Sequence, residues 1–217
     1  MSEHACKSRS HPKPAPKHPV RGRPAGDHEA KRKALLEAAA AVIMRDGYAK
    51  ASVRSVAQHI GQSTGAVTYY FSSKEELIVA LIENVFDRID MLLEPVRESS
   101  DVRELFASWM AMARDEPDFW LVISELFALG RHDPVYAEVI ARRYSQYREL
   151  HTKILEGGQK RGVVRSDIPA KWLTEQLCAM GDGWMLLRPV EPNRFEFDRV
   201  KAMIDAVCAL ISPVQNA

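Results

Sequence analysis

From Asp27 onward the apolar positions recur at helical spacing. Leu35, Ala38, Ala39, Val42 and Ile43 follow the i, i+3, i+4, i+7, i+8 pattern of one buried helix face. That helix is predicted to start near Asp27 or His28 and to stop at Gly47, a residue suited to the left-handed turn after a helix. A short helix follows from about Val53 to Ile60, with Ser52 as its N-cap. Gly61-Gln62-Ser63 form a tight turn, and a third helix runs from about Thr64 to Tyr70 with Ser63 as its cap. Ser73 caps a longer helix beginning at Lys74, and Ser73 with Glu76 has the spacing of a capping box. Five more helical stretches are predicted, at about 101–114, 117–130, 134–160, 168–187 and 194–212. Pro117, Pro134, Pro169 and Pro192 lie at or near their breaks, where proline belongs. No period-two run bounded by turn residues is long enough for a strand. The predicted class is all-α, with about nine helices. Residues 27–80 read as a helix-turn-helix domain and residues 81–217 as a helical bundle.

Residues 1–26 stand apart. They hold five of the twelve prolines, six Lys/Arg, one acid and almost no large apolar residue, the composition of a disordered basic arm. Arg21-Gly22-Arg23-Pro24 suits either a narrow DNA minor groove or a plain solubilising tail. His4, Cys6, His11 and His18 are too loosely spaced for a closed metal site, so no metal is assigned.

The net charge of +1 conceals an asymmetry. Residues 1–74 carry 13 Lys+Arg against 5 Asp+Glu, whereas residues 75–217 carry 17 against 24. The front of the chain suits a polyanion and the remainder does not. Three cysteines, far apart and odd in number, exclude a disulfide framework. There is no apolar run long enough for a membrane span and no secretory h-region, so the expected location is the cytoplasm. No glycine-rich phosphate loop, paired CxxC, nucleophile elbow or His-Glu-x-x-His motif is present. The expectation is therefore no enzyme and no cofactor.

The segment from Ser52 to Phe71 carries the chemistry. Val56, Ala57 and Ile60 form the inner face of its first short helix, and Val67 and Phe71 point back from the second into the same core. The opposite face of the second helix shows Thr64, Gly65, Thr68 and Tyr69. It is short, polar and uncharged, and fits a major groove about 12 Å wide.

On these residues the chain resembles the tetracycline-repressor (TetR) family. The matching signals run in order: Leu35-Leu36-Glu37-Ala38-Ala39, Gly47-Tyr48, Val56-Ala57, Gly61, Ser63-Thr64-Gly65, Tyr70-Phe71 and Ser73-Lys74-Glu75-Glu76-Leu77. Two positions depart from the pattern. Gln62 replaces a small apolar residue, and Thr68 stands where the family usually has a tyrosine, leaving Tyr69 or Tyr70 as the alternative phosphate contact. The resemblance implies that Arg54 reaches a base edge, and that Thr64, Gly65, Ala66 and Tyr69 face the groove. It also implies that Ser52, Tyr70 and Lys74 touch phosphates. Ser63 and Thr68 complete the set of expected DNA contacts. Double-stranded DNA with a palindromic operator is the implied partner, read by a homodimer.

The resemblance places the dimer interface on the last two helices. These carry Trp172, Leu173, Leu177, Met180, Trp184, Met185 and Leu187, then Phe197, Val200, Met203, Ile204, Val207 and Ile211. It also implies a small-molecule effector, of unspecified identity, inside the bundle. The candidate lining is Phe106, Trp109, Met110, Trp120, Ile123, Phe127, Tyr144 and Tyr147, a stripe that reads equally as plain core. Gly181 and Gly183 each cost about 1 kcal/mol in a helix relative to alanine, which points to a close approach there. Together with Phe119-Trp120 and Tyr147-Arg148, that stretch is loosely similar to choline/betaine-pathway repressors. The expected function is a sequence-specific transcriptional regulator, a repressor released from its operator by the effector. Two rival readings stay open on the residues alone: an architectural or nonspecific DNA binder, and a helical protein-interaction module or enzyme that uses the bundle.

Overall fold

The computed structural model describes residues 25–214. The basic arm and the four residues considered for a metal lie outside them, apart from the arm's last two positions. Helix α1 spans Ala25–Asp46, two residues ahead of the expected start. Leu35, Leu36, Ala38, Ala39, Val42 and Ile43 are all buried along it. It stops at Gly47, whose φ of 78° is a conformation L side chains rarely adopt, and whose N–H closes on the Ile43 carbonyl at 2.8 Å.

A 3-10 turn at Tyr48–Lys50 leads to α2, Val53–His59, and then α3, Thr64–Thr68. The Ser52 hydroxyl accepts the Ser55 N–H, and the Ser55 hydroxyl takes the Ser52 N–H in return, so the cap is reciprocal. Helix α4 spans Lys74–Leu93. Nine of its side chains are buried, spread around more than one face, because this helix passes from the head into the body. Ser73 caps it through the Glu76 N–H at 3.0 Å. The reciprocal bond of a capping box is displaced by one residue: the Glu76 carboxylate takes the Ser72 N–H at 2.7 Å and the Ser72 hydroxyl at 2.6 Å.

The body continues with α5 (Val96–Ser99), α6 (Val102–Asp115), α7 (Pro117–Gly130), α8 (Pro134–Lys160), α9 (Ala170–Leu187) and α10 (Phe197–Ile211). The described residues thus hold ten α-helices and no strand. The short α5 is the one the periodicity does not announce; a single turn between Pro95 and Ser100 is too brief to show a face. Helix α9 begins at 170 rather than 168, because Pro169 caps it in an extended conformation. Helix α10 begins at 197 rather than 194, because Pro192–Phe195 form a separate 3-10 turn.

Helix α8 is the hub of the body and packs on α4, α7 and α9. One arginine fixes its register on α4. Arg143 forms ion pairs with Asp87 at 2.7 Å, Asp90 at 3.0 Å and Glu83 at 3.3 Å. Three carboxylates on one stripe of α4 thus converge on this mostly covered guanidinium, and Glu83 also pairs with the neighbouring Arg142. Helix α10 packs on α6, and α7 reaches α1 in the head.

Candidate nucleic-acid interface and bundle core

Helices α2 and α3 cross over a closed apolar seam. Val56, Ala57, Val67 and Phe71 are all buried, and Ile60 is half-buried beside them. Gly61 permits the turn between the helices; its φ of 65° is strained for any residue with a Cβ. Ser63 caps α3 by accepting the Ala66 N–H at 3.2 Å.

The other side of α3 is open. Ser63, Thr64, Gly65, Thr68 and Tyr69 are exposed and Ala66 is half-buried. Tyr69 is the most projecting, at 73% exposed. The Thr68 hydroxyl donates to the Gly65 carbonyl of its own helix at 3.1 Å and keeps its lone pairs outward. Arg54, in the first turn of α2, is exposed and has no ion pair among the described residues. A guanidinium without a carboxylate partner, next to an uncharged helix face, leaves its five donors free for base edges or phosphates.

Three expected contacts have structural work of their own. Ser52 is half-buried and engaged as the α2 cap. Tyr70 is half-buried, with its ring 4.7 Å from His28 and 5.1 Å from Tyr69. Lys74 turns back into the head: its Nζ donates to the Tyr48 carbonyl at 2.7 Å and sits 3.7 Å from the centre of the Tyr48 ring. Burial there lowers the ammonium pKa. His28 was not among the predicted contacts. No linear spacing joins it to Tyr69 and Tyr70; the meeting of the α1 start with the α3 end does.

In the body, six of the eight candidate lining residues, Phe106, Trp109, Trp120, Phe127, Tyr144 and Tyr147, form much of one aromatic core, whereas Met110 borders the space between α6 and α10. Trp109 lies 5.2 Å from Trp120 and 6.1 Å from Tyr147, and Tyr144 lies 5.8 Å from Tyr147 and 6.0 Å from Phe127. Phe106 abuts Trp184 at 5.5 Å. Phe106, Trp109, Met110, Trp120, Ile123 and Tyr147 are buried, and Phe127 and Tyr144 half-buried. The core is nearly full. Its enclosed space, bounded by Leu105, Phe106, Trp109, Tyr147, His151 and Leu177, is about 10 Å³, the size of one water probe.

Three of its polar atoms are nevertheless unpaired among the described residues. Trp109 Nε1, Trp120 Nε1 and His151 Nε2 are buried without a hydrogen-bond partner in the structure. Burial pushes the His151 imidazole down to about 4 and the Cys178 thiol up to about 12; His151 Nδ1 and Cys178 Sγ lie 3.8 Å apart. At neutral pH both are therefore uncharged. Asp182 accepts the Tyr144 hydroxyl, and burial raises its carboxyl pKa. Gly181 explains its own presence: a Cβ there would sit 2.9 Å from Trp109 Cζ3. Gly183 has open space around it.

A polar contact joins head and body. The Tyr48 and Tyr136 hydroxyls share a 3.0 Å hydrogen bond, with the rings edge to face. Tyr136 is buried in the first turn of α8, and burial followed by the Tyr48 bond raises its pKa.

The apolar residues of the last two helices split between two faces. Leu173, Leu177, Met185, Ile204, Val207 and Ile211 are buried within this chain. Met180, Trp184, Val200 and Met203 are half-buried. Trp172, Leu187 and Phe197 point outward, joined by Leu186 and Leu210, which the pattern did not single out. Helical spacing alone does not separate a face turned to α6 or α8 from one turned outward. No helix of the described residues is long and apolar enough to cross a membrane.

Comparison with known proteins places these features. The model of bacterial regulatory proteins of the tetR family matches residues 35–81, and that of the BetI-type transcriptional repressor C-terminal region matches residues 99–212. The chain is similar to the HTH-type transcriptional regulator PksA of Bacillus subtilis, with 29% identity over 187 residues, covering 82% of this chain and 88% of that protein. It is similar to the HTH-type nicotine-responsive transcriptional repressor HdnoR of Paenarthrobacter nicotinovorans, with 28% identity over 171 residues, covering 75% of this chain and 86% of that one. A TetR transcription regulator from Haloarcula marismortui shares the fold at a TM-score of 0.72 and 18% identity, covering 85% of this chain and 99% of that one.

Proposed function

The chain belongs to the TetR family of bacterial regulatory proteins, and from that premise we propose that it works as a cytoplasmic homodimeric repressor, released from a palindromic operator when a small molecule enters its body. DNA-binding transcriptional regulation is the function of the family. The proposal adds how these residues carry it.

In this reading residues 27–80 are the reading head and residues 81–217 the dimerising, effector-binding body. The observation that carries it is the open face of α3 beside the unpaired Arg54, on a helix pair whose other side is fully closed. Arg54 reads a base edge, with Thr64, Gly65, Ala66, Thr68 and Tyr69 against the groove. Ser52, Ser63 and Tyr70 lie along the phosphates. Lys74 contributes mainly by holding the Tyr48 turn, its charge reaching the backbone at longer range. The outward Trp172, Leu187 and Phe197 supply the dimer seam, since apolar patches of that kind mark association sites. The unpaired nitrogens of the aromatic core favour a ligand with acceptor atoms there, after the core opens.

The test is fluorescence anisotropy on duplexes from the DNA flanking the gene, titrated with salt. Binding should weaken log-linearly with salt, because neutralising phosphates releases counterions. Arg54→Ala should lose about 1–3 kcal/mol on the preferred duplex and much less on scrambled DNA. Equal loss on both sequences removes the base-reading role of Arg54; absence of any palindromic preference removes the operator.

A further inference from the structure

The body has apolar space outside the aromatic core. A separate apolar cavity of about 370 Å³ lies between α6 and the start of α10, within the range of small-molecule sites. Its walls are Met110 and Ala107 of α6, Val200 and Ile204 of α10, and Phe195 of the 3-10 turn before α10; Phe197, proposed for the dimer seam, also borders it. Val200 and Ile204, which the resemblance places at a dimer seam, line this space against α6.

The rim is cationic. Arg103, Arg114, Arg188 and Lys201 all border the cavity, and no carboxylate does. Asp205 is shared by Arg103 and Lys201, and Asp115 engages Arg114. Arg188, half-buried at the end of α9, has no ion pair among the described residues. A half-covered guanidinium facing an apolar cavity with no anion beside it lacks the partner that such a group ordinarily has.

We propose that this cavity is a second ligand site, separate from the aromatic core, that takes an amphiphilic monoanion. The carboxylate of the ligand pairs with Arg188, and Arg114 and Lys201 add longer-range attraction at the mouth. Its hydrocarbon part lies against Met110, Phe195, Val200 and Ile204. An arginine fork matches a carboxylate in two parallel hydrogen bonds, which a neutral head group cannot reproduce. An occupant presses on α6, the helix that also delivers Trp109 to the core. The site stands or falls independently of DNA binding, because its test measures only ligand affinity.

The probe is decanoate, measured by isothermal titration calorimetry on the full-length protein, with decanol and decyltrimethylammonium as comparators. Decanoate should bind, decanol at least about tenfold more weakly, and the cation not at all. Arg188→Gln should weaken decanoate by about tenfold or more while leaving decanol unchanged. Val200→Trp, which fills the cavity, should abolish both. Arg188→Gln keeps the test valid if Val200→Trp disturbs folding. No decanoate binding, equal affinity for decanol, or an unchanged affinity in Arg188→Gln each overturns the proposal.

Discussion

Two glycines one residue apart on α9 make opposite predictions. Replacing a helix-interior glycine with alanine stabilises the helix by about 1 kcal/mol, and that gain is common to both positions. At Gly183 nothing lies within 4 Å of the new methyl, so the gain should appear nearly intact. At Gly181 the methyl meets the Trp109 ring at 2.9 Å. That ring is not a flexible tip; Trp120 and Tyr147 hold it from other sides. Overpacking of this kind costs about 1–3 kcal/mol. Gly181→Ala should therefore be about 1–3 kcal/mol less stable than Gly183→Ala, and near or below the parent protein. Urea denaturation at several protein concentrations gives the difference and exposes any change in dimerisation. Heating should separate the two variants by several degrees, at roughly 2–4 °C per kcal/mol for a chain of this size. If they agree within about 0.5 kcal/mol, the contact between Gly181 and Trp109 does not constrain the core and the packing argument fails.

His151 makes stability depend on pH. Its folded pKa is depressed from 6.5 to about 4, so between those values the unfolded chain binds a proton that the folded one refuses. The contribution is complete above pH 6.5 and is lost as pH falls toward 4, about 3 kcal/mol in all. His151→Gln should flatten the fall between pH 6.5 and 5 in a denaturation series, a window above ordinary carboxylate titration; an unchanged slope would place the proton elsewhere. Tyr136→Phe removes the hydroxyl partner of Tyr48 and should cost about 0.5–1.5 kcal/mol of stability. It should also reduce the change in operator affinity that effector produces, measured as the ratio of dissociation constants with and without it. An unaltered ratio would show that the tyrosine pair carries no signal.

The fold was largely legible because its signals are local. Caps at Ser52, Ser63 and Ser73, glycines at 47 and 61, and the prolines mark element ends within a few residues. The face of α3 was legible for the same reason: in a five-residue helix, burying Val67 turns Thr64 and Thr68 outward. What escaped depends on contacts distant in the chain. Lys74 stands at a helix start, and the bond of its ammonium to the Tyr48 carbonyl 26 residues earlier has no signal in local spacing. Ile204 and Val207 read as interface because a second covering helix, α6, is not visible from their own periodicity. His151 had no evident partner, and its importance comes from burial beside Trp109 and Tyr147 rather than from any motif.

The same long-range contacts bear on how a signal crosses the molecule. Tyr136 on α8 bonds Tyr48; the Tyr48 carbonyl holds Lys74; Lys74 begins α4; and the acids of α4 hold Arg143, again on α8. These contacts form a closed loop that starts and ends on one helix. A rigid helix of twenty residues, about 30 Å long, carries the far side of that loop. Any shift of α8 relative to α4 must then either break the Arg143 cluster or pull on Tyr48, because the loop has no slack segment except the turn at 48–50. The Arg143 cluster is the more costly to break, since it would strip Asp87 and Asp90 of their paired guanidinium, with Arg142 left to hold Glu83. The turn is the softer element, and it leads directly into α2. On the proposed reading, an effector that wedges open the full aromatic core displaces α8 through Tyr144 and Tyr147. On that reading the head is moved through Tyr48 rather than through the buried seam between α2 and α3.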